Sequence, residues 1–169
     1  TRVVESSGVV PQIVVTFDEP VTVAVATPEI TLNVGGGYAV SYTSGSGTSA
    51  LTFDYTVQAG HTSGDLAYVN TTSLDINGAT IRDAGLNDAD LTLAAPTLAD
   101  SLDDNRAFII DTTKPVVDNV FASTGNGAYK LGEFVDLVVD FSEVVFVSGT
   151  PTLTLDTNPD AVVNYSSGS

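Results

Sequence analysis

Acidic side chains are where this chain could do chemistry. Of its 169 residues 21 are Asp or Glu, against five Lys or Arg, and 16 of the acids are Asp. Asp is short, suits turns, and often ligates calcium, an ion that takes six to eight oxygens at about 2.3–2.6 Å. One set of candidates surrounds the Pro-containing stretch "IIDTTKPVVDNV", residues 109–120: Asp103, Asp104, Asp111, Asp118 and Glu143. Asp111 ends one run of strand-like sequence and Glu143 follows another, so the two carboxylates are expected at a domain junction. Glu19 is expected to do the same toward a preceding domain. The alternative for Glu19 and Glu143 is a strand-end carboxylate accepting backbone N–H groups. A second set lies in "RDAGLNDAD": Asp83, Asn87, Asp88 and Asp90. It resembles a calcium loop but lacks the strict loop signature. The other reading is a hairpin turn with Gly85 or Asn87 at positive φ.

Other chemistry finds little footing. Without Cys there is no disulfide, thiolate site or Cys nucleophile. His61, the single histidine, sits in "QAGHTSGD", which reads as a surface turn. One His is a poor basis for zinc or a triad, and the acids fall in turns, so no enzyme is expected. A polysaccharide-binding module remains an alternative, with Tyr38, Tyr42 and Tyr165 as candidate platforms. The net charge of -16 argues against nucleic acid and anionic membrane surfaces. No apolar run is long enough to insert into a membrane.

The elements that must position these residues read as strands. Period-two alternation places Ile13, Val15 and Phe17 on one face, and likewise Ile30, Leu32 and Val34. Leu51, Phe53, Tyr55 and Val57 form the longest such run; Leu91 with Leu93, Phe108 with Ile110, Leu137 with Val139 and Phe141, and Leu153 with Leu155 follow. Gly, Asn, Asp and Ser fill the gaps. Residues 96–104 are the one helix candidate. Short strands at this spacing predict an all-β antiparallel β-sandwich.

One stretch occurs twice. "FDEPVTVAVATPEITL" begins at Phe17 and "FSEVVFVSGTPTLTL" at Phe141. Pro28 and Pro151 stand 123 positions apart, as do Tyr42 and Tyr165, where "SYTSGS" is answered by "NYSSGS". Gly8 is answered by Gly132. The second copy has Ser148-Gly149 where the first has Ala24-Val25-Ala26, and Val144 in place of Pro20. A tandem repeat of about 123 residues has the size of a sandwich domain with its linker. Pro115 marks the boundary. Residues 1–113 are expected to form one nearly complete β-sandwich repeat lacking its first strand, and 114–169 the N-terminal part of a second, truncated repeat. Such a frame is expected either as an excerpt of a long array or as a chain whose missing strands come from a neighbour.

The paired Phe-x-Glu/Thr-Pro segments, the "DTTKP" linker and "IRDAGLND" resemble the Ig-like or cadherin-like repeats of giant bacterial surface proteins, including repeats-in-toxin-type adhesins. That resemblance implies a cell-surface or extracellular structural extender for cell adhesion, stiffened by calcium at its junctions. Its partners would be neighbouring repeats of the same chain or like subunits. The alternative is a filament subunit assembling head-to-tail by β-strand exchange.

Overall fold

The computed structural model describes residues 12–168, and the expected match of Gly8 with Gly132 lies outside them. The chain divides after Thr113 into two compact units.

Unit 1 is an antiparallel, β-sandwich-like fold. Its strands are β1 (Gln12–Ala24), β2 (Glu29–Leu32), β3 (Tyr38–Ser44), β4 (Thr48–Asp54), β5 (Leu74–Asp75) and β6 (Thr80–Arg82), in the sheet order β5-β2-β3-β4-β1-β6. β1 is long enough to serve two partners. Its first half pairs with β4, the register shifts between Thr16 and Val21, and its last residues, Thr22 to Ala24, pair with β6. A shift of this kind bends a strand and strengthens its twist, which lets one sheet curl around a core. Alternation fixes the inward face: Ile13, Val15, Ile30, Leu32, Val40, Leu51 and Phe53 are all buried. β4 lies between β1 and β3, and its buried residues sit at the centre of this set.

The β3–β4 turn depends on a glycine. Gly45 has φ +111, and a Cβ there would stand 2.0 Å from the carbonyl oxygen of Ala50. No other residue fits without moving β4.

Three expectations need correction. The run from Leu51 to Val57 is cut short: β4 ends at Asp54, Tyr55 stays buried, and Val57 is exposed. Neither Leu91–Leu93 nor Phe108–Ile110 is a strand. Leu93 and Ile110 are buried nonetheless, held by Leu93 N–H donating to the Thr71 carbonyl and by an isolated bridge between Ser63 and Ile110. Two alternating apolar residues suffice to plug a loop into the core without a ladder. The helix is one turn, α1 (Leu102–Asn105), with Ser101 as its N-cap. Leu102 anchors it and is fully buried.

Unit 2 holds two separate hairpins. β7 (Val117–Ala122) pairs with β8 (Leu137–Phe141), and β9 (Thr152–Leu155) pairs with β10 (Ala161–Asn164). The second hairpin has the register of β2–β3 moved by 123 positions. Leu153 opposes Val163 as Ile30 opposes Val40, and Leu155 opposes Ala161 as Leu32 opposes Tyr38. Tyr165 N–H donates to the Pro151 carbonyl at 2.9 Å, and Tyr42 N–H to the Pro28 carbonyl at 2.8 Å.

Candidate functional site

The acids of "RDAGLNDAD" are held by their own turn. Asn87 donates its backbone N–H to Asp83 Oδ1 at 2.8 Å and its side-chain amide to Oδ2 at 2.7 Å. These donors, the side-chain amide first, hold the Asp83 carboxyl below its usual value. Asp88 turns away to Arg82, whose Nε lies 2.6 Å from Oδ1; the pair is solvent-exposed and contributes little to stability. Asp90 accepts Thr92 N–H, which lowers its pKa in the same way. The segment is a turn closed by the Arg82–Asp88 bridge. Its left-handed residue is Leu86, at φ +66, and not Gly85 or Asn87. Both Asp83 oxygens are bonded to Asn87, and the three residues between them, Ala84, Gly85 and Leu86, are exposed.

The remaining candidates are spread over both units. In unit 1, Asp103 and Asp104 stand in the first turn of α1, where an acid complements the helix N-terminus. Asp103 Oδ2 accepts Thr97 N–H at 2.8 Å, while its Oδ1 is buried without a hydrogen-bond partner. Asp104 gives its N–H to Ser101 Oγ. Asp111 accepts Thr113 N–H at 2.8 Å, and this bond lowers its pKa. Glu19 is exposed in the irregular middle of β1. In unit 2, Asp118 is exposed on β7, and Glu143 follows β8 with its Oε1 buried and unpartnered. Among the described residues no three or more His, Cys, Asp or Glu side chains gather as a metal-holding group. Asp83 and Asn87 are the candidate pair that direct hydrogen bonds bring together.

His61 is not in a surface turn. It is buried, with Nδ1 2.8 Å from the Tyr55 hydroxyl. Its ring stacks on Tyr55 with centroids 5.8 Å apart and meets the edge of Tyr38 at 4.6 Å. Thr112 fastens this loop, donating its hydroxyl to the His61 carbonyl and accepting Gly60 N–H. Burial, then the neighbouring Tyr38, raises the Tyr55 phenol. The polar surroundings of "QAGHTSGD" hid this cluster. Its one signal was that Tyr55 continues the inward face of β4, so that a loop returning over it would meet an aromatic ring. Tyr68 was missed for the same reason: buried, it donates to the Ala94 carbonyl at 2.6 Å, and burial followed by the Asp103 carboxylate raises its pKa.

Comparison with family models, curated proteins and solved structures yields no match. Among the described residues no helix is long and apolar enough to cross a membrane.

Proposed function

We propose that the chain carries consecutive Ig-like or cadherin-like repeats of a large extracellular or cell-surface protein, and that their work is structural: they extend and bear load for an adhesive module elsewhere in that protein. The observation that carries this reading is the doubled hairpin. β2–β3 and β9–β10 share sequence, register and the Tyr-to-Pro backbone bond at a constant offset of 123 positions. A chain that builds the same hairpin twice, in units divided near Pro115, is organised as an array. The reading assigns no catalytic role.

Calcium is the cofactor that goes with this reading. The atoms that favour it are Asp103 Oδ1 and Glu143 Oε1, acidic oxygens buried without donors. A buried, unpaired carboxylate oxygen is costly, and a cation is one way to satisfy it. Asp83 is a weaker candidate, since Asn87 already serves both its oxygens.

Pulling on a chain of several such repeats tests the structural reading. Regular unfolding steps are expected, each lengthening the chain by about 3.3–3.6 Å per residue over one repeat. A single irregular event would overturn it. Calcium is tested by melting with and without chelator: a lower transition without calcium is expected, and an unchanged one removes calcium from the proposal.

A further inference from the structure

The chain holds two Asn-Gly pairs, Asn77-Gly78 in unit 1 and Asn126-Gly127 in unit 2. Asparagine is a thermolabile residue, and before glycine its lability has a steric cause. With no Cβ on the following residue, the backbone nitrogen can close on the asparagine side chain.

The fold holds the two pairs differently. Asn77-Gly78 forms the turn between β5 and β6. Both residues have positive φ, +46 and +78, as the centre of a type I′ turn requires, and Ala79 N–H closes the turn on the Ile76 carbonyl at 2.7 Å. Asn77 N–H donates to Asp75 Oδ1 at 2.6 Å, and its side-chain Nδ2 donates to the Thr27 carbonyl at 3.3 Å. Backbone and side chain are both tied, and the Asp75 carboxylate opposes further negative charge beside it. Asn126-Gly127 lies exposed in the connection from β7 to β8. Among the described residues no hydrogen bond reaches either member of this pair. The loop is fastened on each side of them instead, by Ser123 N–H to the Asp136 carbonyl and by the Tyr129 hydroxyl to the Gly125 carbonyl. A Cβ at Gly127 would meet the Tyr129 ring at 3.8 Å, and one at Gly125 would meet nothing within 4 Å. Asn126 therefore has room to turn about its own bonds.

We infer that Asn126 is a site of self-modification, converting to aspartate and isoaspartate, and that the turn around Asn77 guards that residue from the same reaction. The Gly127 backbone nitrogen gives its proton to solvent and attacks Asn126 Cγ. The new C–N bond closes a succinimide ring as the Cγ–Nδ2 bond breaks, and the side-chain nitrogen leaves as ammonia with a proton from water. Water then opens the ring. Attack at Cγ gives aspartate; attack at the backbone carbonyl carbon gives isoaspartate. Either product adds a negative charge, and isoaspartate also lengthens the backbone path of the β7–β8 connection. The reaction needs this chain and water alone, whatever the repeats extend or carry.

The test incubates the full chain at mildly alkaline pH and follows both pairs by peptide mass mapping, which reads the exchange of NH2 for OH. Labelling with an isoaspartate-specific methyltransferase marks the rearranged product. Asn126 is expected to convert at least about 10-fold faster than Asn77, because ring closure at Asn77 must first break its turn and side-chain hydrogen bonds. In denaturant the two rates are expected to converge, since the fold is what separates them. Gly127→Ala, at a φ outside the left-handed region, is expected to slow conversion of Asn126 and leave Asn77 unchanged. Equal rates in the folded chain, faster conversion at Asn77, or no conversion at either would overturn the inference. So would a difference that persists in denaturant, or a Gly127→Ala chain that converts at the original rate.

Discussion

Val15 and Val139 hold matching places in matching strands, and so do Val40 and Val163. The first of each pair is buried and the second is open. Likewise Leu32 is fully buried on β2, while Leu155, its counterpart on β9, is only half-buried. The strands know which side is inward, since period-two alternation sets it locally. They do not supply what makes that side a core. In unit 1 the cover comes from β4, from the loops carrying Leu66, Tyr68 and Leu93, and from Leu102 and Ile110. Burial is therefore a property of the assembled set, and two hairpins of the same register can differ in how far their inward residues are buried.

The sharpest way to break this comparison is to remove the same side chain from both copies. Leu32→Ala takes a fully buried leucine from between Tyr38 of β3 and Tyr68 and is expected to cost about 2–5 kcal/mol, read as a lower urea midpoint for unit 1. Leu155→Ala removes the same atoms from a half-solvated site and is expected to cost less than about 1 kcal/mol. Equal losses would mean that β9 is covered as well as β2 is.

How much of this was legible beforehand follows from the same distinction. The inward faces of β1, β2 and β4 could be read because alternation is local, and the doubled hairpin could be read because its markers (the Thr-Pro pair, the tyrosine, the glycine turn) recur at fixed spacing. Leu93 and Ile110 read as strand residues and proved to be plugs, because two apolar residues look alike in either role. Among the candidate site residues, the turn at Asp83 and Asn87 was visible in its composition. That Leu86, and not Gly85 or Asn87, is the left-handed residue was not, because a leucine gives no local sign of positive φ. The enclosure of His61 by Tyr55 and Tyr38 was hidden entirely, since nothing in a polar loop says which surface it will fold back upon.

The turns offer a second, smaller contrast. Gly45→Ala places a methyl group against the Ala50 carbonyl at a φ that L-residues rarely adopt. A cost of about 1–3 kcal/mol from strain alone is expected, with more from displacement of β4. At Gly168 the same φ applies but a Cβ meets nothing within 4 Å, so Gly168→Ala should show only the backbone part. Thermal melts of the two variants check the difference. If Gly168→Ala proved as damaging as Gly45→Ala, the space beside Gly168 would already be filled.

The smallest effect concerns Val25. It takes φ +76 while 87% exposed, so a β-branched residue sits in the left-handed region with no packing in return. In the second copy the corresponding turn before Thr-Pro uses Gly149 at φ +79. A non-glycine residue in this conformation is strained by roughly 1–2 kcal/mol, and glycine gives back about 0.5–1 kcal/mol in unfolded-chain entropy. Val25→Gly is therefore expected to raise the urea midpoint of unit 1 by an amount corresponding to about 1 kcal/mol or less. The reciprocal Gly149→Val should lower that of unit 2 by a similar amount. A loss of stability in Val25→Gly would show that the valine makes up for its backbone strain, and that the two turns are not equivalent after all.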